Sequence, residues 1–177
     1  MLPNRLRTIT APQPCVSVEQ FAAHAYLDSI SDSDGELITA YIAAAEDAVS
    51  REIKRPLGIC DVVFFWPGAA ASSLQISYTP LVDVKRVTVD GEDVQFSVND
   101  CGAYPRIELQ GVCPTAGAEI AATCTVGFEQ VPQALRVAVM MLAAGMHEHR
   151  SDQIEQSLTN VAAFERLIAG YRQEFVY

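Results

Sequence analysis

Val126-Gly-Phe-Glu-Gln-Val-Pro-Gln-Ala-Leu-Arg-Val-Ala-Val-Met-Met-Leu-Ala-Ala-Gly-Met-His-Glu-His-Arg150 is the stretch that decides the fold. A strand ends at Gly127-Phe128, and a short turn leads to Pro132. Proline suits the first position of a helix, where its missing N–H would be unpaired anyway. From Ala134 to Met146 every residue except Arg136 is apolar or glycine. A helix apolar on all sides is expected to be buried on all sides. The run stops in His147-Glu-His-Arg-Ser-Asp152. It is therefore shorter than the roughly 20 apolar residues a bilayer requires. This helix is expected to be the core around which the rest packs.

Working outward, the segments before and after it are helical too. Ser17-Val-Glu-Gln20 fits a capping box, with a first helix running to about Ser29. Ser33-Asp-Gly-Glu36 is a second candidate box. Beyond it Leu37, Ile38, Tyr41, Ile42, Ala45, Ala48, Val49 and Ile53 recur at helical spacing until Pro56 and Gly58. Downstream, Val161, Phe164, Leu167, Ile168 and Tyr171 share one face of a last helix. The middle of the chain differs. Cys60–Trp66, Leu74–Tyr78, Val82–Val89, Val94–Val98, Tyr104–Leu109 and Glu119–Val126 read as strands. Val82–Val89 carries a phase slip at Lys85-Arg86, and Asp90-Gly91 is a hairpin signal.

The expected fold is α+β: mainly a helical bundle of about four helices with an inserted small antiparallel β domain of about six strands. Five segments follow: an extended N-terminal arm at 1–16, a helical pair at 17–58, the β insert at 59–128, C-terminal helices at 129–171, and a tail at 172–177.

Composition narrows the function. With 177 residues the chain reads as one domain, with or without a lobe, able to bury a core without staples. Twelve basic residues against 22 acidic give a net charge of −10, against a general nucleic-acid-binding surface. Cys15, Cys60, Cys101, Cys113 and Cys124 are odd in number and lack C-x-x-C spacing, so reduced thiols are expected. Arg5 and Arg7 precede no apolar run, so no export signal is expected.

The chemistry-bearing residues point to no catalyst. His147 and His149 are two apart, and helical metal ligands need spacings of three or four; a solvated helix end is the plainer reading. No cysteine sits in a nucleophile signature. Gly68-Ala-Ala-Ala-Ser-Ser73 lacks the lysine and second glycine of a phosphate loop. No metal, cofactor or catalytic residue is assigned. Asp83, Asp90, Glu92 and Asp93 are read as an exposed acidic cluster, not a metal site. Phe175, Val176 and Tyr177, with Arg172, end the chain as an aromatic tail suited to a partner, or else folded back on its own subunit.

Taken in order, these pieces resemble the head–tail connector (adaptor) proteins of long-tailed bacteriophages and related prophage or gene-transfer particles. The resemblance spans roughly 17–172. It rests on Ser17-Val-Glu-Gln-Phe21, Glu36-Leu-Ile-Thr-Ala-Tyr-Ile-Ala-Ala-Ala-Glu46 and the helix exit Arg55-Pro-Leu57. It continues in Thr79-Pro-Leu-Val-Asp-Val-Lys-Arg-Val-Thr-Val-Asp-Gly91, Pro105-Arg-Ile-Glu-Leu109, Thr125-Val-Gly-Phe128 and Val131-Pro-Gln-Ala-Leu-Arg-Val-Ala138. Where the family usually has TAGY and YENR, this chain has Thr125-Val-Gly-Phe128 and His147-Glu-His-Arg150. The resemblance implies a non-enzymatic virion protein of the particle neck, made in the host cytoplasm. It implies a homo-oligomeric ring, usually twelvefold, built from head-to-tail contacts. Its implied partners are the portal protein and the head-closure or stopper protein, with DNA passing through and no membrane involved. A small enzyme, or a monomeric binding module using the acidic β insert, is the alternative.

Overall fold

The computed structural model describes residues 3, 5–27, 30–68, 70–100, 104–148 and 162–173. The fold is α+β. The chain forms two compact units: residues 14–58 with 130–176, and residues 1–13 with 59–129.

The first unit is helical. Helix α1 (Val18–His24) begins with the expected capping box: Ser17 Oγ accepts the Gln20 N–H, and the Gln20 side chain accepts the Ser17 N–H. It ends five residues before Ser29. Helix α2 (Asp32–Ile53) starts two residues before the expected site, because Ser31 rather than Ser33 is the cap. Ser31 Oγ accepts the Asp34 N–H and donates to the Asp34 carboxylate at 2.7 Å. Ile38, Ile42, Ala45, Val49 and Ile53 form its buried stripe. Lys54 closes α2 in the left-handed conformation (φ 59°), a place glycine usually takes.

Helix α3 (Gln133–Glu148) contacts α1, α2 and a fourth helix, α4 (Ala162–Ile168), so it is central to this unit, whereas the β unit has a core of its own and the expectation of one core for the whole chain fails. The Pro132 carbonyl accepts from the Leu135 and Arg136 N–H groups, placing Pro132 at the helix entry. The expectation of all-round burial fails. Leu135, Ala138, Val139, Leu142 and Ala143 are buried, whereas Val137, Met140, Met141 and Ala144 are only half-covered. Three neighbouring helices cover one side of α3. The apolar composition does not show which side. On α4, Phe164 and Ile168 are buried; Val161 lies outside the described residues.

The second unit is a β structure of eight described strands, where about six were expected. β1 (Arg5–Thr8), β2 (Cys60–Pro67), β8 (Glu119–Val126), β4 (Leu81–Val89) and β5 (Glu92–Asp93) form one antiparallel sheet in that order. β3 (Ser73–Gln75), β7 (Arg106–Leu109) and β6 (Phe96–Asn99) form a second. Two differences from expectation account for the count. Residues 5–8 of the N-terminal arm are a strand paired with Val62–Phe65. The expected strand at 94–98 is split: Glu92 and Asp93 pair with Val89 and Thr88, then Phe96–Asn99 cross to pair with β7. The crossing lets Val94 and Phe96 pack against the core shared by both sheets.

Period-two alternation builds that core. Cys60, Val62, Phe64 and Trp66 point inward from β2, against Ile120, Ala122, Cys124 and Val126 of β8 and Leu74, Ile107 and Leu109 of the smaller sheet. The phase slip is a register shift of β4 against β8 between Val84 and Arg86. Asp90 and Gly91 both have positive φ (51° and 87°), as a two-residue hairpin turn requires. With this much β structure, the description as mainly helical does not carry over to the whole chain.

Candidate functional site

The acids singled out in sequence all lie in the β unit and are exposed. Three of them belong to one feature, the β4–β5 hairpin. The Asp90 carboxylate accepts the Glu119 N–H at 2.8 Å while the Asp90 N–H donates to the Glu119 carbonyl at 2.8 Å, tying the turn to β8. Asp93 pairs with Arg86 at 2.5 Å, and the guanidinium holds its carboxyl below the usual carboxylate range. Glu92 stands at the sheet edge. Asp83 is on β4, apart from the hairpin turn, and its charge helps to raise the Cys124 thiol.

A fifth acid, missed in sequence, is better anchored. Asp61 receives the Lys85 ammonium on both carboxylate oxygens at 2.7 Å and the Thr125 hydroxyl at 2.8 Å. These hydrogen bonds, Lys85 first, hold its carboxyl below the usual range. The bulge in β4 sets Lys85 where it can reach across the sheet. A cleft of about 370 Å³ is lined by Lys85, Arg86, Val87, Asp93, Val94 and Phe96.

The thiols are placed as structural groups. Burial pushes Cys124 up to about 12, and burial with the adjacent Glu46 does the same to Cys15. A thiol so raised is protonated and poorly nucleophilic. Cys60 is buried and raised too, whereas Cys113 is exposed. Cys101 lies outside the described residues. Glu46 accepts the Cys15 and Val16 N–H groups at 2.6 and 3.3 Å, and Arg136 Nε donates to the Cys15 carbonyl at 3.1 Å. His147 is half-buried edge-on to Phe21 and Tyr41, at centroid distances of 6.0 and 6.4 Å. The helix end at this residue is therefore packed rather than solvated. His149 and Arg150 are outside the described residues. Among the described residues no three His, Cys, Asp or Glu side chains gather as metal ligands. Among them, too, no helix is long and apolar enough to cross a membrane.

At the C-terminal end, Arg172 bridges Glu52 (3.0 Å) and Glu165 (2.8 Å) within its own unit. The Gln173 N–H donates to the Ile53 carbonyl at 3.0 Å, and the Arg55 guanidinium donates to the Tyr171 carbonyl. Arg55 of the helix-exit motif thus fastens the last turn, a single 3₁₀ turn at Ala169–Tyr171, to the end of α2. Phe175, Val176 and Tyr177 lie outside the described residues. Two surface features escaped sequence reading. Tyr26 is 93% exposed with φ 54°, unusual for a bulky residue. Arg5 and Arg7 are exposed on β1, Arg5 lying 5.7 Å over the Phe65 ring. Their two-residue spacing is the only signal that could have found them.

No protein-family model and no curated protein matches the chain. Solved structures do match it. It is similar to a chain in the neck of the empty gene transfer agent (GTA) particle computed with C6 symmetry, at TM-score 0.78 and 22% identity, covering 98% of this chain and 97% of that one. A chain in the virion of the native GTA particle gives 0.76 and 21%, with 97% of each covered. A chain in the native GTA neck computed with C12 symmetry gives 0.73 and 22%, covering 98% and 97%. Over nearly its whole length, then, the chain has the fold of chains found in gene transfer agent particles, two of them in the particle neck.

Proposed function

We propose that this chain is a structural head–tail connector (adaptor) of a phage-like or gene-transfer particle, without catalytic activity or a cofactor. The observation that carries the reading is the end-to-end likeness in fold to chains of GTA necks. The proposed assembly is a ring of identical subunits beneath the portal vertex. A C12 neck among the similar structures supports a twelvefold ring. The ring joins portal to head-closure protein and lets DNA pass. A net charge of −10 suits that passage, because an acidic lining repels phosphate where a basic one would retain it. Asp83, Asp90, Glu92 and Asp93 are proposed to line the channel or its exposed rim. Electron microscopy of particles purified from producing cells tests the reading. The expected result is a ring of this protein between portal and the next neck component. Its absence from particles refutes the proposal.

The tail is proposed to dock on the portal or a neighbouring subunit. Arg172, first grouped with it, is tied to Glu52 and Glu165 and so is engaged within its own unit. Deleting 174–177 should leave the melting temperature unchanged and abolish attachment to portal-bearing capsids. A truncated protein that joins particles at normal occupancy overturns the docking role.

A further inference from the structure

The five-stranded sheet ends in two edges of opposite charge. One is β1, whose Arg5 and Arg7 are exposed and share the outer face with Phe65 and Val63. The other is β5, with Glu92 and Asp93 exposed beside Asp90. About 19 Å separates the edges, four strand spacings. An unpaired sheet edge is a surface that proteins either protect or use.

Within the five-stranded sheet, the balance of charge singles out the basic edge. Lys85 and Arg86 are neutralised locally, by Asp61 and Asp93. Among the described residues neither Arg5 nor Arg7 has a carboxylate within ion-pair range. Yet the chain carries 22 acids against 12 bases. The Phe65 ring beneath the Arg5 guanidinium also limits the freedom that side chain would lose on binding.

We propose that these edges are the two halves of a subunit contact, with Arg5 and Arg7 of one copy set against Glu92 of the next, where Asp90, Glu92 and the Arg86-paired Asp93 leave a net negative charge. This rests on the ring reading above and takes the rim alternative for the hairpin acids. A head-to-tail ring needs two different, complementary patches on each subunit, and two opposite edges of one sheet meet that need. The contact is made through side chains and does not continue the backbone ladder. Over four strand steps a sheet twists by roughly 80–100°, so β5 points away from the direction of β1. Copies related by the small rotation of a large ring cannot realign them. Arginine suits such a contact because its planar fork can bind carboxylate with two hydrogen bonds.

The test uses particles from producing cells, with copies of this protein per portal counted by quantitative mass spectrometry. Arg5→Glu/Arg7→Glu should lower occupancy at least tenfold, and so should Glu92→Arg/Asp93→Arg. The combined four-residue reversal should restore at least half of wild-type occupancy. Melting temperatures of the purified variants check folding. If losing the Arg86–Asp93 pair unfolds the second variant, Arg7→Glu with Glu92→Arg carries the same comparison. Either reversal at full occupancy, or a combined reversal without rescue, overturns the contact while leaving the ring reading intact. Wild-type protein missing from particles overturns both. Independently, Arg7→Cys with Glu92→Cys, in a Cys101→Ser/Cys113→Ser background, should give a disulfide ladder beyond dimer in oxidised particles. A ladder absent from occupied particles overturns the contact.

Discussion

Leu135→Ala tests the central place of α3. Leu135 is fully buried, on the side of α3 that α1, α2 and α4 surround. The substitution removes three carbons, about 2.4 kcal/mol of transfer free energy at about 0.8 kcal/mol per methylene. The cavity adds about 1–2 kcal/mol where neighbours relax only in part, for a total of about 3.5–4.5 kcal/mol. Val137→Ala is the internal control. Val137 is half-covered, so losing two carbons there should cost less than about 1 kcal/mol. Alanine's better helix propensity returns a few tenths of that. Urea unfolding followed by circular dichroism at 222 nm reads the helices, while fluorescence of Trp66, in the β unit, reads the other unit. The reasoning is refuted if Leu135→Ala costs less than about 1 kcal/mol, or no more than Val137→Ala.

The Asp61 carboxyl is lowered in the folded state, so its contribution is present above the unfolded value near 4 and is lost as pH falls through the folded value. Between pH 6 and 3 the urea midpoint of wild type should therefore fall more than that of Asp61→Asn; parallel curves would contradict this. Thiol labelling of the native protein, resolved by mass spectrometry, should modify Cys113 at least tenfold faster than half-buried Cys15, whose thiol is raised, and buried Cys60 and Cys124 should react only on unfolding. Ser31→Ala should cost about 0.5–2 kcal/mol in chemical unfolding, whereas Ser33→Ala should cost less, because Ser31 is the cap.

Elements set by local chemistry were legible in the sequence. The Ser17 box, the α2 stripe, the Asp90-Gly91 turn and the β4 slip each depend on residues within one turn or one strand pair. What failed depended on distant partners. Arg-Leu-Arg-Thr8 has a single apolar residue, and its strand exists because β2 offers an edge to Leu6 and its neighbours. Residues 92–99 alternate like one strand, but the crossing to the second sheet is decided by where Val94 and Phe96 find the core. The half-open side of α3 is invisible for the same reason, since apolar residues on every side do not say how many helices will arrive. Of the candidate site, the exposed acids were legible as charge in turns. Their local partners were not, since Glu119 lies 29 positions from Asp90.

Those local partners bear on how such a chain could assemble. Several cations are engaged within their own unit: Lys85 by Asp61, Arg86 by Asp93, Arg172 by Glu52 and Glu165, and Arg55 and Arg136 by carbonyl groups. The surface that other molecules meet is therefore acidic. Two such subunits repel at long range, and so do a subunit and DNA. At physiological salt this repulsion is screened beyond about 8 Å, leaving short-range contacts to decide association. A cation held at one edge then does what the average charge cannot. It identifies a specific face of the neighbour while the rest of the surface keeps nucleic acid away. Added salt acts on these two effects in opposite directions: it relieves the general repulsion and weakens the arginine–carboxylate contact. A ring stabilised at its edges by Arg5 and Arg7 should thus be most stable at intermediate ionic strength. A ring held by apolar contacts alone would gain stability as salt rises, so the shape of that dependence separates the two.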